Sequence, residues 1–199
     1  MSRPAKPDVE ELIIAAALDI ILRDGVNGLR VRDVARASGC TVAMIYRRFV
    51  DREGVLDASV AHFYEKRIRA VVAQARTVAM RPEPITLDDV VDALPLPNYE
   101  GSDVVKSLIA RVPALAHENQ IFRQNIEAIV VEQYPQFEAA IRSIVNRLPR
   151  EDQFDFRVIT TLVLHQNWTL NDLRGPYRVS NDEYREFMLR LLRSSTPFD

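Results

Sequence analysis

The chain has 199 residues, 47% of them apolar and 27% charged, and a formal net charge of −2. That length holds one moderate domain, or a small one beside a larger one, and the apolar share is enough for a packed core. No window approaches the roughly 18 uncharged apolar residues of a membrane span, and "MSRPAKPDVEEL" has no apolar stretch of the kind a secretory signal needs. The single cysteine, Cys40, allows no internal disulfide, which fits a cytoplasmic protein. Three histidines and one cysteine, far apart in sequence, give no metal-ligand spacing, so neither a metal nor a cofactor is expected.

Apolar residues recur at helical spacing and alternating β-branched runs do not occur, so the expected class is all-α. Asp8 caps a first helix, with Glu11 in capping-box position; Ile13, Ala16, Ala17, Ile20 and Ile21 form its buried face, and Gly25 ends it in a left-handed conformation. A short second helix spans about Val31 to Ala37 and buries Val34 and Ala35. Gly39 breaks it, and a third helix runs from a Thr41 cap to Phe49. A fourth begins at Asp51 and keeps one stripe, from Leu56 to Ala75, until Arg81-Pro82. Four prolines between 82 and 97 mark a loop-rich connection around the short helical piece "TLDDVVDAL". Ser102 starts a helix that Pro113 interrupts; another runs from about Glu118 to Gln133, and Pro135 kinks it or begins a new one ending at Pro149. Amphipathic stretches at 152–172 and 181–193 close the chain. The expected organisation is a helix-turn-helix domain over 1–52 and a helical domain over 53–199, joined by the fourth helix.

A short helix, a glycine turn and a second short helix make a helix-turn-helix, whose second helix enters the major groove of DNA. Between Gly28 and Arg52 stand six arginines and two acids, a local excess of +4 that leaves −6 for the rest of the chain. A polyanion responds to such a patch rather than to the total. Ala43 is small enough for close approach. Thr41 sits at a helix N-terminus that favours a phosphate, Arg47 and Arg48 suit phosphate or guanine, and Tyr46 can offer its hydroxyl to a phosphate. Ile45 and Phe49 face the core, Cys40 is a small, partly buried turn residue, and Arg36 is solvated or salt-bridged.

"IIAAALDIILRDG" followed by "LRVRDVARASGCTVAMIYRRFVDREGVL" resembles the DNA-binding domain of the tetracycline-repressor (TetR) family over residues 10–60. The shared features are Ala16-Ala17, Gly25, Val34-Ala35, Gly39, Ile45-Tyr46, Phe49 and the basic-acidic pair Arg52-Glu53. The departures are Arg30 where a capping Thr is usual, Cys40 for an aliphatic residue, Val50 for Pro or Gly, and the apolar Val42 for a polar base reader, which turns it toward a thymine methyl. The resemblance implies DNA contacts from Arg30, Arg32, Thr41, Val42, Ala43, Tyr46, Arg47, Arg48 and Arg52.

The same resemblance implies a regulatory body that binds a small, largely apolar effector and dimerises through its last long helices, here 152–172 and 181–193. Tyr64, His117, Tyr134, His165 and Trp168 are polar-tipped or aromatic residues on apolar helices, and they are the candidates for the effector site. The expected protein is thus a repressor, not an enzyme, that binds a pseudo-palindromic double-stranded operator as a homodimer. The rival is a helical enzyme or adaptor with an incidental helix-turn-helix. It finds no Gly-rich phosphate loop, paired metal ligands or activated nucleophile in its favour.

Overall fold

The computed structural model describes residues 8–95, 103–149 and 179–194, and these form eight α-helices and no strand. In chain order they are α1 (Val9–Asp24), α2 (Val31–Ser38), α3 (Val42–Phe49), α4 (Arg52–Ala79), α5 (Leu87–Ala93), α6 (Asp103–Glu118), α7 (Gln120–Val145) and α8 (Asn181–Ser194). The stretch 152–172, with His165 and Trp168, lies outside the described residues. None of the described helices is long and apolar enough to cross a membrane.

The chain divides into two compact units, residues 1–66 with 101–127 and residues 67–100 with 128–199. The first is larger than a three-helix head, because α6 and the start of α7 belong to it. Its core takes Ile13, Ala17, Ile20 and Ile21 from α1, Val34 from α2, Ile45 and Phe49 from α3 and Leu56 and Val60 from α4. Leu108, Val112 and Phe122 join them from α6 and α7. The second unit packs Val72 and Ala75 of α4 with Val90 and Val91 of α5, Phe137, Ile141 and Ile144 of α7, and Tyr184, Met188 and Leu192 of α8. In the second unit Arg185 of α8 bonds both Asp88 and Asp92 of α5, and Arg81 bonds Asp89 and Asp92. Burial pushes the Asp92 carboxyl up, but the two guanidiniums outweigh it and hold the group below the usual carboxylate range.

Pro113 does not interrupt its helix, and Pro135 does not begin a new one. Pro113 sits inside α6 and Pro135 inside α7. Each lies on an exposed face, where water can take the carbonyl that the missing N–H leaves unpaired. The break falls instead at Asn119, whose Oδ1 accepts from the backbone N–H groups of Ile121 and Phe122 and so starts α7. Asp8 accepts from Glu10 N at the start of α1. Gly25 does have positive φ, but at ψ 168° it is extended rather than left-handed helical. The piece "TLDDVVDAL" is α5, held by a reciprocal capping box between Thr86 and Asp89.

The α3–α4 joint is the tightest place in the first unit. Val50 has φ 66° and ψ −55°, and Asp51 N donates to Phe49 O at 2.7 Å across it, a γ-turn of the strained hand. Asp51 then caps α4 by accepting from Gly54 N at 2.8 Å. A Cβ on Gly54 would lie 1.9 Å from the Phe49 carbonyl oxygen, so the close approach demands glycine there. A β-branched residue at positive φ costs on the order of 1–3 kcal/mol. Val50 is 81% exposed and has little packing to lose. Val50→Gly is therefore expected to stabilise the protein by ~1 kcal/mol after the extra unfolded-state entropy of glycine, read as a higher melting temperature. A lower one would mean that the turn is not strained.

Candidate nucleic-acid interface

α2 and α3 are eight residues each, and local chemistry defines their ends. Gly39 takes the left-handed conformation after α2, with φ 70° and ψ 16°. Thr41 caps α3, its hydroxyl oxygen accepting from Met44 N at 3.2 Å. Ile45 and Phe49 point into the core, which leaves Thr41, Ala43, Tyr46, Arg47 and Arg48 on the open side of the helix. Tyr46 is 46% exposed, a large share for an aromatic residue on a short helix, so its ring and hydroxyl are available to a partner. Val42 differs from this set: it is half-buried and packs against the core of the first unit. Cys40 is half-buried as well, with its Sγ 3.8 Å from Ser38 O.

The six arginines of the patch fall into two groups. Arg36 pairs with Asp33 at 3.5 Å, Arg48 with Asp8 at 3.2 Å and Glu10 at 3.4 Å, and Arg52 with Glu53. Arg30, Arg32 and Arg47 face no carboxylate within ion-pairing distance among the described residues. Arg30 donates to the carbonyls of Asn27 and Leu29, at 2.6 and 3.3 Å, and its side chain does not cap α2. Arg52 donates to Leu29 O at 3.1 Å and Val26 O at 2.7 Å. Arg32, at the start of α2, and Arg47, on α3, are thus the exposed cations with nothing internal to hold them. Exposed pairs such as Arg48 with Asp8 and Glu10 are weak and exchange readily for a phosphate.

A short capped helix with an aromatic hydroxyl and cations on its open face, preceded by a glycine turn and a second short helix, is the geometry of a helix-turn-helix reader. The sequence profile described as "Bacterial regulatory proteins, tetR family" matches residues 13–59, the segment that carries α1 to the first turns of α4. Over these residues the chain matches the tetR family. It is a DNA-binding transcription regulator. Among solved structures, a TetR-family transcriptional regulator from Rhodococcus sp. is 19% identical, with 94% of this chain and 98% of that one covered and a TM-score of 0.56. A TetR-family member from Streptomyces coelicolor A3 is 17% identical over 96% and 100% of the two chains, TM-score 0.56. Multidrug binding protein EbrR, complexed with proflavin, is 18% identical over 92% and 99%, TM-score 0.58. These likenesses extend the similarity of fold over most of the chain. No curated protein matches the sequence.

The candidate effector residues do not gather in one place. Tyr64 of α4 is half-buried against the core of the first unit, His117 is exposed in the last turn of α6, and Tyr134 is half-buried on α7 in the second unit. An open groove of about 450 Å³ in the second unit, lined by Arg76 and Ala79 of α4, Met80 just after it, and Gln136, Ala140 and Ser143 of α7, includes none of them. Among the described residues no group of three His, Cys, Asp or Glu could hold a metal.

One polar contact that no local pattern announces lies just behind the head. Asn119 Nδ2 donates to Asp57 Oδ2 at 3.0 Å, so the residue that starts α7 also bonds the second turn of α4. Burial pushes the Asp57 carboxyl up, and the Asn119 bond offsets this only in part. A carboxyl raised in the folded state favours folding when protonated. That contribution is complete below the unfolded pKa and is lost as pH rises through the folded one. Asp57→Asn keeps an acceptor for Asn119 and is expected to raise the melting temperature at pH 7, with the gap to wild type closing as the solution is acidified through the carboxylate range. A gap that persists or widens in acid would show that Asp57 is not held up by burial.

Proposed function

We propose that this regulator binds a pseudo-palindromic operator as a homodimer, represses transcription, and is released by a small molecule. The observation that carries the DNA part is the open face of α3. Thr41, Ala43, Tyr46 and Arg47 stand together on a helix whose other side is locked by Ile45 and Phe49. In this reading residues 1–52 act as the DNA-binding domain and 53–199 as the regulatory and dimerisation domain. Arg47 and Tyr46 make the main contacts, with Arg32 on phosphate. Arg48 exchanges its pair with Asp8 and Glu10 for the DNA backbone, and Thr41 and Ala43 line the groove. Val42 contributes through packing against the core as much as through any thymine methyl.

A dimeric reader needs two heads about 34–36 Å apart, one turn of DNA. Phe187, 57% exposed on α8 while Tyr184, Met188 and Leu192 are buried, supports a second apolar face over 181–193. EbrR, of the same fold, is known with proflavin and with imidazole bound, which supports an effector site in the helical body. The effector acts by preferring one position of α4 over another, a coupling that is typically ~1–3 kcal/mol. Tyr64 is the favoured contact because it lies on α4 itself, with His117, Tyr134, His165 and Trp168 as further candidates. A regulator with these properties is a cytoplasmic non-enzyme.

Selection of bound sequences from random duplexes tests the reading directly. An inverted repeat is the expected yield, and no enrichment at low salt would sink it. With a duplex in hand, Arg47→Ala and Tyr46→Ala are each expected to weaken binding about tenfold or more with the helical content unchanged. Arg36→Ala, which removes a cation already neutralised by Asp33, is expected to cost less than about threefold. Equal losses in Arg47→Ala and Arg36→Ala, with none in Tyr46→Ala, would show that the patch acts only through its total charge.

A further inference from the structure

Arg52 occupies a position where the basic residue would be assigned to a phosphate, yet its guanidinium is turned inward. Nε donates to Leu29 O at 3.1 Å, Nη2 to Val26 O at 2.7 Å, and Nη1 bonds Glu53. All three nitrogens are committed within the molecule, and the side chain is only one-third exposed. The two carbonyls belong to the turn between α1 and α2. Leu29 N closes that turn on Val26 O at 3.3 Å, a long bond. Leu29 itself is fully buried. Arg30 holds the same turn from the other end through Asn27 O and Leu29 O. The two arginines thus bond three carbonyls of the turn, those of Val26, Asn27 and Leu29, just ahead of a helix whose N-cap residue offers no side-chain bond.

We propose that Arg52 is a positioning residue, not a phosphate ligand: its fork, with Arg30, fixes the start of α2 to the start of α4 and takes the place of the missing N-cap. This rests on the DNA-binding reading for its consequence, since α2 is the element against which α3 is set. The geometry needs a planar fork that can serve two carbonyls at once. A lysine ammonium has the charge but not the fork. A phosphate contact makes the opposite demand: charge suffices, and lysine serves.

The experiment compares Arg52→Lys and Arg52→Gln in the full chain, using the selected duplex across a series of salt concentrations and amide hydrogen exchange without DNA. A positioning role predicts that both variants lose affinity alike, about tenfold or more, with a wild-type slope of log K against log salt. It also predicts faster exchange in both at Asp33 and Val34, whose N–H groups donate to Arg30 O in the first turn of α2. Loss of folding in both variants would support it too, because removal of a DNA-facing side chain leaves helix packing untouched. The proposal is overturned if Arg52→Lys binds like wild type while Arg52→Gln loses about 0.9 in slope per phosphate contact, or if exchange in α2 is unchanged. Should wild type bind no duplex at all, the regulator reading fails, and the exchange comparison alone decides on Arg52.

Discussion

Two helices of eight residues cannot persist in water by themselves. Nucleation costs more than two turns of hydrogen bonds return, so α2 and α3 exist only because something outside them fixes their ends and one face. That constraint explains the density of small devices around the head. Gly39 turns the chain between them, Thr41 caps one, and Arg30 and Arg52 bond the turn before the other. Ile45 and Phe49 supply the apolar anchor, and Ala43, Tyr46 and Arg47 are thereby left on the open face. A reading helix must present its side chains without spending them on its own stability, and the head meets that demand by placing the stabilising contacts in its neighbours.

The first compact unit carries this further than the three-helix head. Leu108, Val112 and Phe122 enter its core, and Asn119 both starts α7 and bonds Asp57 on α4. Helices that sequence order assigns to the regulatory body are thus packed against the early turns of α4. For a regulator, such packing provides a contiguous physical route by which a change in α6 or α7 bears on the helix that follows the reader. The second unit is held by a different device. Arg81 and Arg185 share the acids Asp88, Asp89 and Asp92 beside an aliphatic core.

Much of this was legible from the amino-acid order. The stripe Ile13, Ala16, Ala17, Ile20 and Ile21 has the period of a buried helix face and is one. Gly39, Thr41 and Asp51 are local signals whose partners lie within four residues, and each acts as its chemistry suggests. Pro113 misled because a break depends on what receives the freed carbonyl, and the exposed side of a helix supplies water for it; of the two alternatives at Pro135, a new helix is excluded on the same ground. The inward contacts of Arg52 were hidden for a different reason. Its acceptors are backbone carbonyls 23 and 26 residues earlier, and a carbonyl carries no sequence signature. The Asp57–Asn119 bond spans 62 residues and was equally invisible. The polar face of α3 could be read because it is the residue left over once helical period and core are assigned; the wiring of its arginines could not.

The joint between Phe49 and Gly54 has one more implication. Its turn bond, its cap and its forbidden Cβ are all contained in six consecutive residues, so the turn from α3 into α4 is written locally. Such a joint is portable. The remainder of α4 can drift in sequence, and bodies of different chemistry can be grown upon it, without re-aiming the reader. A head built this way is suited to being shared among many sensors.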